Sequence, residues 1–345
     1  MTRNSRRRRL RTSMLVAAVA VPMLLSACGS LEPEGGGGSG EAAGPTIVTV
    51  PKLTGISWFE RMEEGVDRYA QSEGADAYMQ GSGQADANAQ VRVIEDLMAS
   101  NVDALGVVPF QPDAVEQVLA RAMQSDITVI THEAPEIQNA DWDIEAFQNE
   151  DYGRNLMDEL ASRMDEKGQY AVMVGSLSSA THMDWVQSAI AYQKEKYPDM
   201  QQVGDIIETQ DDSQVAYESM KELLSAYPNI KGIQGSASTD VVGVGQAVDE
   251  AGLQDEISVV GTSVPSDAKA GLNNGSIDLI TFWDPADAGF AMNALAQAVI
   301  DGEDVKNGLN LGVDGYESVT VDGKVVYGDK AWITVTKENV DEYDF

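Results

Sequence analysis

The sequence predicts an α/β protein made of two doubly wound, parallel-sheet lobes. From residue 45 onward, short apolar runs alternate with longer stretches of helical periodicity. That βαβ rhythm puts helices on both faces of a parallel sheet. Of the 345 residues, about 300 follow an N-terminal leader and tether, enough for two domains of ordinary size. Finally, "NVDALGVVPFQPDAVEQVLARAMQSDITVITHE" and "NIKGIQGSASTDVVGVGQAVDEAGLQDEISVVGTS" share one plan. Each opens with Asn and an apolar strand, ends that strand on polar residues, and closes with an Ile-x-Val strand. We read them as equivalent units of two similarly built lobes.

The elements follow in order. Residues 1–27 read as a signal peptide: a basic start with six arginines, the apolar "SMLVAAVAVPMLL" and a small-residue cut site. With cysteine at the cut, "LSAC" resembles the bacterial lipobox, which implies lipidation of Cys28 and an extracytoplasmic protein anchored to the cell membrane. Residues 28–44 then hold the lipidated cysteine and a flexible Gly/Ser/Glu-rich tether. "TIVTVPKL" is strand-like, and "SWFERMEEGVDRYAQSEG" is a helix closed by Gly74. Val91, Ile94, Leu97 and Met98 recur at helical spacing, and "VDALGVVPF" is a buried strand. A helix over "DAVEQVLARAMQSD" and the strand "ITVITHE" complete the first half. The second half runs "YAVMVGS" (strand), "WVQSAIAYQKEKYP" (helix), "QVGDIIET" (strand) and "QVAYESMKELLSAYP" (helix), then the repeated unit.

The formal charge is −33, and removing the leader's arginines leaves 17 basic against 56 acidic residues. Such a surface repels nucleic acid and anionic lipid, so no nucleic-acid partner is expected. Cys28 is the only cysteine, so no internal disulfide can form. Two histidines 50 residues apart and no H-E-x-x-H argue against a metal site. No hydrolase elbow or dinucleotide fingerprint is present, so no cofactor and no catalytic residue are expected. Paired carboxylates are plentiful, and a sugar-active enzyme stays an open alternative.

Ligands of open parallel sheets lie beyond the carboxyl ends of the strands. Those ends carry "SWFE", "PFQPD", "THEAP", "SLSSATHMDW", "GSAST", "TSVPSD" and "WDPAD". Aromatic faces stack on sugar C–H groups and carboxylates accept hydroxyl hydrogens, so the set suits a small sugar or polyol.

The segments "PKLTGISWF", "VVGTSVPSDAKAGLNNGSIDLITFWDP" and the terminal "ITVTKENVDEYDF", with the first repeat unit, resemble type I periplasmic binding proteins, the solute-binding lipoproteins of bacterial ABC sugar importers. The likeness is to the group with the autoinducer-2 and rhamnose receptors, from about residue 45 to the end. It implies a monomer with three interlobe crossings: one lobe from 45–147 plus 284–310, another from 148–283 plus 311–345. It also implies a ligand clamped by hinge closure, with an ABC permease and its ATPase as partners. The alternative is a sensing receptor for an autoinducer-like furanose.

Residue by residue, the family's lysine falls on Lys52, its aromatic pair on Trp58 and Phe59, and its acid on Glu133. Its Asp-Gln pair falls on Thr181 and His182, and its Pro-x-Ala element on Gly235 and Ala237 with the proline lost. Its Trp-Asp pair is kept as Trp283 and Asp284. The changed polar pair puts autoinducer-2 itself in doubt. Phe110 joins by its place at a strand end, and Ser263 by its correspondence to Glu133 in the internal match. Each has a plainer reading: an edge charge for Lys52, a capping or solvent carboxylate for Glu133, core for the aromatics, a hinge residue for Trp283 or Asp284, and a surface loop histidine for His182. His182 is expected to reach into the cleft and donate to a ligand oxygen. His132 and Glu133 are consecutive in an extended segment and point opposite ways, so they do not act as a pair.

Overall fold

The computed structural model describes residues 44–345 except Ala331. The leader, Cys28 and nearly all of the tether lie outside the described residues. The first lobe begins β1 (Thr46–Val50), α1 (Ser57–Glu73), β2 (Asp76–Met79), α2 (Ala87–Met98), β3 (Ala104–Val107), α3 (Pro112–Gln124), β4 (Thr128–His132) and β5 (Trp142–Glu145). The second follows as α4 (Asn149–Arg163), β6 (Gly168–Val174), α5 (Ala180–Lys196), β7 (Met200–Gln202), β8 (Ile207–Glu208), α6 (Ser213–Ala226), β9 (Ile230–Gly235), α7 (Asp240–Ala251), β10 (Ser258–Thr262), α8 (Pro265–Asn274) and β11 (Leu279–Phe282). Then come α9 (Pro285–Ile300), β12 (Thr320–Asp322), β13 (Val325–Tyr327), β14 (Ile333–Val335) and a 3-10 turn at Val340–Glu342.

Both sheets share one plan. The first runs β2-β1-β3-β4-β5, the second β7-β6-β9-β10-β11, each a 2-1-3-4-5 order of parallel strands. The matched sequence units are β3-α3-β4 and β9-α7-β10, which occupy the same places in the two sheets. The single strand expected over "QVGDIIET" is divided into β7 and β8, with Gly204 in the left-handed region at φ 69° between them.

The sheets correct one boundary. Residues 311–345 were expected wholly in the second lobe, but β13 pairs with β5 and β12 with β13, both in the first sheet. Only β14 joins the second sheet, antiparallel to β11. The last change of sheet therefore falls between Tyr327 and Ile333. Val326, fully buried and in register with Ile144 of β5, draws the chain back there.

Helix α9 follows β11 yet packs on α1 beneath the first sheet. Gly65 and Gly289 permit this: a Cβ on Gly65 would overlap the Ala286 carbonyl, and one on Gly289 would come within 2.6 Å of the Met62 carbonyl oxygen. The central strands β1, β3, β4, β10 and β11 are largely apolar and buried on both faces, as parallel strands covered by helices must be.

Candidate functional site

The carboxyl ends of both sheets face one narrow cavity. From the first lobe come Lys52 after β1, Ile56, Trp58 and Phe59 at the head of α1, and Glu133 after β4. The second lobe supplies His182 and Trp185 in the first turns of α5, Asp211 after β8, Ser236, Ala237 and Ser238 after β9, and Thr262 at the end of β10. Trp283 lies at the crossing from β11 to α9.

Lys52 and Glu133 form a buried ion pair, 4 % and 3 % exposed. Burial acts against the Lys52 charge, but Glu133, Asp211 and Glu145 outweigh it and raise its pKa. Burial also acts against the Glu133 charge, yet the Lys52 ammonium above all holds the carboxyl down at about 2. Both groups are therefore charged at neutral pH. Glu133 takes a left-handed backbone at φ 58°. A non-glycine residue there is under strain, and such strain gathers at functional sites.

His132 is fully buried behind this pair. Its Nδ1 lies 2.6 Å from the Ile144 carbonyl oxygen, so Nδ1 carries the hydrogen, and Nε2 is 3.9 Å from Glu133 Oε1. Burial lowers its pKa, which keeps it neutral. His182 has the opposite tautomer: Nδ1 accepts from the Gly175 N–H at 3.2 Å, leaving the hydrogen on Nε2. Burial and then Lys52 lower its pKa to about 3, so it is a neutral donor.

Trp283 is an aromatic hub. Trp58, Phe147 and Trp185 meet it edge-on, with ring centroids at 4.8, 5.3 and 5.7 Å. Its indole N–H has no hydrogen-bond partner among the described residues. Asp240, at the head of α7, accepts from the Ser236 and Ala237 N–H groups and from Thr209 Oγ1, at 3.0, 2.9 and 2.6 Å. It thereby fixes the β9 end loop against the segment that carries Asp211. Side chains also bridge the lobes directly: Ser57 Oγ donates to Asp267 Oδ1 at 2.7 Å, and Thr181 Oγ1 to Glu145 Oε1 at 3.0 Å.

Of the residues singled out by sequence, Lys52, Trp58, Phe59, Glu133, His182, Ala237 and Trp283 come together on the cavity. Five others do not line it. Phe110 is buried in its own lobe, where its N–H donates to Gln90 Oε1. Thr181 is spent on Glu145. Gly235 packs under α7, where a Cβ would come within 2.7 Å of Asp240 Cβ. Ser263 turns to the neighbouring strand end and donates to the Ser238 carbonyl at 2.8 Å, while the preceding Thr262 faces the cavity. Asp284 accepts the Ala286 N–H as N-cap of α9 and pairs with Arg61 at 2.7 Å. Ile56, Trp185, Asp211, Ser236, Ser238 and Thr262 line the cavity without being singled out. All but Asp211 lie in or beside strand-end segments already named for binding.

The comparisons with known proteins agree with this geometry. A periplasmic binding protein domain matches residues 47–304. The chain belongs to this family. It is 27 % identical over 315 residues to the xylitol-binding protein of Mycolicibacterium smegmatis, covering 85 % of this chain and 81 % of that one. With the D-allose-binding periplasmic protein of Escherichia coli it shares 25 % identity over 305 residues, covering 84 % and 89 %. Among solved structures, LsrB from Clostridium saccharobutylicum in complex with AI-2 superposes with a TM-score of 0.80 at 24 % identity, covering 87 % of this chain and all of that one. The first two are binding proteins by name. Among the described residues, no helix is long and apolar enough to cross a membrane, and no group of His, Cys, Asp and Glu could hold a metal ion.

Proposed function

We propose that this protein is an extracytoplasmic, lipid-anchored solute-binding protein that captures a small neutral sugar or polyol between its lobes and delivers it to an ABC importer. The observation that carries this is a cavity at which strand ends of both lobes meet, built from indole and phenyl rings, a buried ion pair, hydroxyls and a neutral histidine. Aromatic faces take the C–H surface of a sugar, and the polar groups take its hydroxyls. Binding in an interlobe cleft links occupancy to hinge closure, so an importer can tell the loaded form from the empty one. Lys52, Trp58, Phe59, Glu133, His182, Ala237 and Trp283 are the ligand contacts in this reading. The partners are a permease and its ATPase, the anchor is the lipid on Cys28, and the protein acts as a monomer without catalysis.

The relatives named for xylitol and D-allose support a polyhydroxylated ligand. The test is a thermal-shift screen with xylitol, D-allose, D-ribose and D-xylose. A true ligand at about 100 times its Kd stabilises the native state by about 2.7 kcal/mol. No shift with any neutral sugar or polyol rejects the proposal. Anchoring is tested separately: Cys28→Ser should release the protein from the membrane fraction.

A further inference from the structure

Asp211 is a buried carboxylate with no hydrogen-bonding partner among the described residues. It lines the cavity with 8 % of its surface exposed. Burial, attraction to Lys52 and repulsion from Glu133 act on it, and no hydrogen bond from the described residues does. Buried carboxylates are ordinarily satisfied several times over.

The chain takes an unusual path to put it there. Gln210 and Asp211 are consecutive non-glycine residues in the left-handed region, at φ 60° and 52°. Such conformations persist only where surrounding structure holds them. Here the Gln210 N–H donates to the Gly175 carbonyl at 2.8 Å and the Thr209 N–H to the Val174 carbonyl at 2.9 Å. Thr209 Oγ1 is held by Asp240. The carboxylate then lies against Gly175, where a Cβ would run into Oδ1. Gly175 is also the residue whose N–H orients His182. One glycine thus makes room for the acceptor and sets the tautomer of the donor beside it.

We propose that Asp211 is a specificity-determining ligand contact that accepts hydroxyl hydrogens of a neutral sugar or polyol from the second lobe, opposite the Lys52–Glu133 pair. The inference rests on the proposed function. It adds a selection by charge: Lys52, the one cation among the described lining residues, stands against the two carboxylates of Glu133 and Asp211, so an anionic sugar acid would add a third negative group to the cavity.

The experiment is calorimetric titration of the purified protein and of Asp211→Asn with xylitol, D-allose, D-ribose and D-xylose, and with xylonate as the anionic counterpart of xylitol. Gly175→Ala, which displaces the carboxylate, is the second variant, and melting curves without ligand check that both fold. Asp211→Asn should weaken the best neutral probe at least about tenfold. It should also narrow the preference over xylonate and melt no lower than the parent protein. Gly175→Ala should lose affinity in the same direction. A smaller loss of neutral-probe affinity in Asp211→Asn, with a normal melting curve, overturns the inference and leaves the proposed function standing. If that variant does not fold, undiminished affinity in Gly175→Ala overturns it. Failure of the parent protein to bind any neutral probe overturns both.

Discussion

The Lys52–Glu133 pair allows a quantitative test of how the cavity is held. Lys52→Met leaves Glu133 as a lone charge with only 3 % exposure. The carboxyl is held at about 2 against an ordinary 4.5. At about 1.4 kcal/mol for each tenfold change in proton affinity, that is about 3 kcal/mol of stabilisation of the charged form. Breaking a buried pair from one side costs about 3–5 kcal/mol, because the surviving charge is left uncompensated. With an unfolding entropy of about 2.1 cal/mol/K per residue over about 300 residues, the loss lowers the melting temperature by roughly 5 °C or more. Glu133→Gln should destabilise similarly by stranding Lys52. The double variant removes both charges and should recover most of the loss, which a double-mutant cycle by thermal unfolding at neutral pH reads directly. Additivity of the two single effects within about 0.5 kcal/mol would refute the pairing argument.

The pH dependence of stability should be bell-shaped. Burial raises Asp143 and Asp240 to about 7, so their contribution is present at low pH and is lost as pH rises through that value. Glu133 is depressed, so its contribution is present above about 4.5 and is lost as pH falls towards about 2. Two raised aspartates lose their contribution from about pH 3.8 towards 7, while the one depressed glutamate gains its own only up to about 4.5, so the melting temperature should peak at about pH 4 and fall towards pH 7, and a maximum at pH 7 or above in a buffer series would contradict these assignments. His182→Ala strands the buried Gly175 N–H, so it should lower the ligand-free melting temperature by a few degrees and also weaken the ligand about three- to tenfold, the worth of one neutral hydrogen bond. Unchanged affinity by titration calorimetry would remove His182 from the contacts.

Much of the architecture was legible because strand and helix periodicity are local properties of the chain. The internal match located equivalent strands correctly, and the place of Glu133 just past a strand followed from counting elements, whereas the helix expected from Trp185 begins at Ala180 and takes His182 into its first turn. The transfer from Glu133 to Ser263 failed for a conformational reason. Glu133 sits in a left-handed turn that directs it to the cavity, whereas Ser263 is drawn to the Ser238 carbonyl. Asp284 looked like a clamp in the Trp-Asp pair, but a carboxylate just before Pro285 is also a good helix cap, and that role took it.

What the sequence by itself determined is the two-lobe α/β plan, the acidic character and the expectation of a small polyhydroxylated ligand, all of which rest on composition and short-range pattern. What only the tertiary structure decided is which polar groups remain unspent. Thr181 was consumed by a contact with the other lobe, β12 and β13 returned to the first sheet, and Asp211 was turned inward against Gly175. These outcomes depend on partners 36 to 182 residues away for Thr181 and β13, or on two successive left-handed residues for Asp211. Long-range pairing and rare backbone conformations leave no periodic trace in the chain, so the identity of the free carboxylate could not be read from it.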